Sequence, residues 1–97
     1  MRYSSLTDAS GPDVIIRAVE TFGPAGHGLR LTGRDMLSAR FDSPVGNVAV
    51  EASRTEDDRT EVIVETREFD REVEAFITAL PRRSWLDKLL RRGARKR

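Results

Sequence analysis

The sequence predicts an α+β two-layer sandwich, an antiparallel sheet with two helices on one face, and three observations predict it. Residues 12–22 and 70–80 carry apolar side chains at helical spacing. The stretch between them changes to a period of two, in four short runs separated by turns. The 97 residues, 38% of them hydrophobic, suffice for one core and leave no room for a second. The expected order is β-α-β-β-β-β-α, with a domain over 1–81 and a short basic amphipathic helix over 82–97.

Residues 2–8 read as a weak strand whose large apolar groups are Tyr3 and Leu6. Ser10-Gly11-Pro12-Asp13 then opens a helix. Ser10 caps, Pro12 sits in the first turn where no amide donor is needed, and Asp13 stands three after the cap as in a capping box. Ile15, Ile16, Val19 and Phe22 supply the apolar stripe, and Gly23-Pro24 ends it. Leu29 and Leu31 begin the alternating region, followed by a turn at Gly33-Arg34-Asp35. Leu37, Ala39 and Phe41 form the next inward set, before a turn at Ser43-Pro44-Val45-Gly46. Val48, Val50 and Ala52 follow, and Val62 and Val64 come after the charged connection 55–59. Asp70 reads as the cap of a second helix with a stripe of Val73, Phe76, Ile77 and Leu80, stopped by Pro81.

This element order resembles the TBP-like arrangement. Residues 29–80, the meander and the helix after it, also resemble a cut-down helix-grip domain of the START and polyketide-cyclase type, with fewer strands and a shorter final helix. The helix-grip likeness implies a small apolar-ligand carrier, its ligand between sheet and first helix against Ile16, Val19, Leu31, Phe41 and Val50. The TBP-like order implies no DNA binding here. The open sheet face would carry Arg30, Arg40 and Arg67 among Glu51, Glu61 and Glu65, with Ser38, Ser53 and Ile63, and no aromatic ring for stacking. Cross-strand ion pairs on a solvated face are the expectation.

Several chemistries find no footing. Without cysteine there is neither a disulfide nor a thiolate metal site. His27 is the single histidine, in a glycine-flanked loop that follows a helix and lacks the lysine and hydroxyl of a phosphate loop. Glu56-Asp57-Asp58 has too few ligands for a calcium loop. No serine has a matched histidine and acid, and the glutamates of the open face lack an apolar pocket. The expectation is a non-enzymatic protein with no cofactor. With no apolar run suited to a signal peptide or a membrane span, a cytoplasmic location is expected, peripheral to the membrane if the tail engages one.

Charge is the most informative feature. Residues 1–81 hold nine arginines against fifteen acidic residues, a net of −6, whereas 82–97 hold eight basic residues against Asp87 alone, a net of +7. In the tail, Trp85, Leu86, Leu89 and Leu90 make a narrow apolar stripe flanked by Arg82, Arg83, Lys88, Arg91 and Arg92. That pattern suits a helix lying in an anionic membrane interface. It also suits the groove of a protein partner, or the phosphates of a nucleic acid. A binding or adaptor module is the expected function, with docking of Trp85 and Leu89 on the domain's own core as the alternative. The exposed edge strands permit, without demanding, extension of the sheet into a dimer.

Overall fold

The computed structural model describes residues 1–82: β1 (Arg2–Thr7), α1 (Gly11–Phe22), β2 (Arg30–Arg34), β3 (Ser38–Asp42), β4 (Asn47–Arg54), β5 (Thr60–Arg67) and α2 (Asp70–Ala79). The expected order and fold class are what it shows. The strands form one antiparallel sheet in the order β1-β5-β4-β3-β2, so the first strand closes beside the last. The expected tail helix over 82–97 lies outside the described residues, apart from Arg82.

The period of two explains the sheet. Along β4 and β5, Val48, Val50, Ala52, Val62 and Val64 all turn to one face and are buried, while Glu51, Ser53, Glu61 and Glu65 turn to the other and are exposed. Val50 stands opposite Val64, and Ala52 opposite Val62, so the cross-strand neighbours are apolar on the covered face. Both helices lie on that face. Phe22 of α1 packs against Phe41 of β3, ring centroids 5.7 Å apart, and against Phe76 of α2 at 5.2 Å. One core cluster therefore joins both helices and the sheet.

The start of α1 follows the expected chemistry. Ser10 Oγ accepts the Asp13 amide at 3.2 Å, and Gly23 closes the helix with its N–H on the Val19 carbonyl. Asp13 completes no capping box, because its carboxylate receives Arg17 Nε at 2.8 Å. The buried face of α1 is Val14, Ile15, Ala18 and Phe22, with Val19 half-buried. Ile16 was expected on that face and is 46% exposed. At about 100° per residue, small Ala18 marks the centre of contact and Ile16 falls almost opposite it.

Three further expectations need correction. The turn between β2 and β3 is displaced to Asp35-Met36-Leu37, where Asp35 Oδ1 accepts the Leu37 amide at 2.8 Å. Leu37 thereby sits in the turn, 46% exposed, instead of on the apolar face, and the ladder shifts register between Leu31 and Gly33. Phe69, not Asp70, occupies the N-cap position of α2, with no side-chain capping bond. On the open face, Arg2 stands opposite Glu65 and Arg30 opposite Asp42. The ion pairs seen among the described residues (Arg17–Asp13, Arg54–Asp58 and Arg59–Asp8) nevertheless all lie elsewhere.

Candidate interaction surface around Pro81 and Arg82

Two buried threonines, Thr7 and Thr60, hold the end of the sandwich where the chain leaves α2, and a third, Thr66, sits at the opposite end of β5. Each lies on the covered face of an outer position in β1 or β5, where an inward Val or Leu would have left backbone groups without partners. Thr60 Oγ1 donates to the Ala9 carbonyl at 2.7 Å, and Thr66 Oγ1 to the Asn47 carbonyl at 2.9 Å. Thr7 Oγ1 donates to the Pro81 carbonyl and accepts the Ala9 amide. No described buried side-chain polar atom lacks a partner. The Pro81 carbonyl also accepts the Asp8 amide at 3.0 Å, so two donors from the end of β1 pin the chain just past α2. Arg82 then extends its guanidinium along β1, Nη2 donating to Ser5 Oγ at 3.1 Å. The backbone at Pro81, where the basic segment begins, is thus held by the fold.

Beside this point runs a cleft of about 280 Å³ between the antiparallel α1 and α2. Ala75, Phe76, Ala79 and Leu80 supply its apolar wall, and Arg17, Glu20, His27 and Glu72 its rim. Leu80 ends the cleft one residue before the pinned carbonyl of Pro81. Further along, Glu68, Asp70, Glu72 and Glu74 gather with Arg71 around the start of α2, which makes this flank net acidic. The cleft and the threonine anchors escaped sequence reasoning. Only the isolated threonines within a valine alternation hinted at them.

The residues expected to line a ligand chamber lie at different depths. Phe41 and Val50, 1% and 0% exposed, are packed inside the core, and Val19 and Leu31 lie partly buried at its margin. Ile16 instead borders a surface depression with Pro12, Arg34, Asp35 and Met36. Among the residues expected to engage a partner, Arg82 is described and exposed. Arg83, Trp85, Leu86, Lys88, Leu89, Leu90, Arg91 and Arg92 lie outside the described residues.

The remaining polar features are committed locally. In the loop after α1 the amides of Gly26, His27 and Gly28 donate to carbonyls of Gly23, Thr21 and Gly23, so they close the helix end rather than facing an anion. His27 is exposed, its ring 6.0 Å from that of Phe22. In the 55–59 hairpin Asp58 pairs with Arg54, and Asp57 accepts the Thr55 hydroxyl. Glu51, Glu61 and Glu65 are exposed, with Glu51 facing Ile63 rather than another carboxylate. No group of His, Asp and Glu suited to a metal ion occurs among the described residues. Nor is any described helix long and apolar enough to cross a membrane.

The chain matches no family model, no curated protein and no solved structure.

Proposed function

We propose that this protein is a binding module whose acidic body presents the basic amphipathic segment 82–97 to an anionic membrane surface. The observation that carries the reading is the pinned backbone at Pro81. Thr7 and Asp8 hold the Pro81 carbonyl, and the +7 segment begins at the next residue, against a body of −6. Charge of this distribution orients the molecule. Each basic residue near an anionic bilayer contributes about 1 kcal/mol at modest ionic strength, whereas the acidic flank of α2 is repelled beyond the first Debye length of ~8 Å. The segment meets the surface and the body stands off from it. Trp85, Leu86, Leu89 and Leu90 supply the apolar contact that charge alone lacks.

Trp85 is the sole tryptophan and reports the event directly. Its emission should shift to the blue on adding vesicles of anionic phospholipid, remain unchanged with phosphatidylcholine alone, and return when salt is raised. An emission already blue and shielded from quencher in the lipid-free protein, unchanged by anionic vesicles, overturns the proposal and places Trp85 on the domain itself. A lipid-insensitive but quencher-accessible Trp85 would instead direct the search to a protein groove.

A further inference from the structure

The two edges of the sheet are not equivalent. On the outer edge, β2 carries Arg30 and Arg34 and breaks its register between Leu31 and Gly33. Charge and a bulge are the devices that blunt a strand against pairing with another chain. By contrast β1, Arg2-Tyr3-Ser4-Ser5-Leu6-Thr7, runs in unbroken register against β5, without proline or bulge and with Arg2 as its one charge.

The hydrogen-bonding parity of β1 follows from its first residue. The amino group of Met1 donates to the Thr66 carbonyl at 2.7 Å, and the Thr66 amide donates back to the Met1 carbonyl at 2.9 Å. Pairs alternate along an antiparallel ladder, so Tyr3, Ser5 and Thr7 also exchange bonds with β5. The N–H and C=O groups of Arg2, Ser4 and Leu6 therefore point away from β5, to the side where no described strand pairs. These three residues are symmetric about Ser4. Arg82 meets this strand at the Ser5 side chain, on the helix-covered face, and not along the line of those backbone groups.

We propose that β1 is a self-association edge, by which two copies of this chain pair antiparallel about a two-fold axis through Ser4. In that register Ser4 exchanges both backbone bonds with Ser4 of the second copy, and Arg2 exchanges both with the second copy's Leu6. The sheets of five strands become one of ten, with both helix layers on the same side. The side chains agree with the register. Leu6, 40% exposed, receives the aliphatic stem of Arg2 from the second copy. The guanidinium of that Arg2 extends over Leu6 toward Glu61, which stands directly opposite Leu6 in β5. On the covered face Tyr3 meets Ser5, and no like charges stand opposite each other.

The test uses the full chain in sedimentation equilibrium over a concentration series, with amide exchange read by NMR. The unsubstituted protein should pass from monomer to dimer mass, and the Arg2, Ser4 and Leu6 amides should gain protection as it does. Ser4→Pro removes only the outward-facing N–H, a change that an edge strand tolerates, and should weaken association at least about tenfold by removing the paired central bonds. Leu6→Lys, at an exposed position, sets a cation opposite Arg2 of the second copy and should weaken association comparably, which decides the matter if Ser4→Pro does not fold. A protein that stays monomeric up to its solubility limit overturns the proposal, as does unchanged dimerisation in the folded variants. Concentration-independent protection of those three amides in a monomer also overturns it, and would show that another part of the same chain covers the edge.

Discussion

The Tyr3 hydroxyl donates to Asp70 Oδ1 at 2.8 Å, joining the edge strand to the first turn of α2 across nearly the whole described chain. Glu74 Oε1, one turn further on, lies 3.4 Å from the same hydroxyl. Asp70 is the first helical residue, one past the N-cap Phe69, and spends its carboxylate on the strand. Its carboxylate faces β1, and from there it still complements the positive helix N-terminus. The phenol pKa is pushed up to about 12, first by the hydrogen bond to Asp70 and then by desolvation and the negative charges of Asp70 and Glu74.

A stability change in alkali follows. The native state holds the phenolic proton more tightly than the unfolded chain, so this contribution is complete below the ordinary tyrosine value of 10. It is lost as the pH rises from there through about 12. Tyr3 is the sole tyrosine, so phenolate absorbance titrates it without ambiguity. Tyr3→Phe should flatten the fall in melting temperature across that window. An identical slope in the variant would show that the bond does not persist in solution.

Phe76 lies at the junction of both helices, 5% exposed and ring to ring with Phe22. Phe76→Ala should lower unfolding free energy by ~3–5 kcal/mol, measured by urea denaturation, because neither helix is free to close the cavity alone. A double-mutant cycle with Phe22→Leu should show coupling of about 0.5–1.5 kcal/mol. A loss under about 1 kcal/mol for Phe76→Ala would mean that α2 is not a core element.

Thr7 is fully buried, and its hydroxyl serves Pro81 and Ala9 together. Thr7→Val keeps the shape and removes both bonds. The Pro81 carbonyl keeps the Asp8 amide, while the Ala9 amide is left with nothing in place of the hydroxyl. The expected loss is about 1–3 kcal/mol by chemical denaturation, whereas Thr7→Ser should recover most of it.

On the open face, Glu51→Gln, Glu61→Gln and Glu65→Gln should each change stability by less than ~1 kcal/mol in thermal melts, since all three side chains are exposed. A substantially larger loss at any of them would reveal a dependence on charge that the solvated face does not predict.

The periodic elements were legible in the sequence. Val48, Val50, Val62 and Val64 announced a half-covered sheet, and Val73, Phe76 and Leu80 a helix lying upon it. Legibility failed where a single position was decided by long-range contact. Ile16 and Ala18 stand on nearly opposite faces of α1, and closeness to the sheet turned the face of the smaller side chain inward and the more hydrophobic one outward. Leu37 fitted the alternation, but the Asp35 side chain drew it into the turn. The candidate interaction surface was half legible. Its charge is written in the composition of 82–97, but its anchoring depends on Thr7 meeting Pro81, a contact between residues 74 positions apart. No local pattern encodes such a contact.

The pairing of β1 with β5 also sets an order of events at the ribosome. The six residues of β1 leave the tunnel before the rest of the sheet, yet their partner runs from Thr60 to Arg67. The meander from β2 to β5 can zip from neighbour to neighbour as it emerges, while β1 waits with both edges bare until β5 follows. Its two serines and single leucine, a poor strand by composition, make a segment with little tendency to aggregate during that delay. The composition that makes β1 a weak strand thus protects the nascent chain until β5 has been translated.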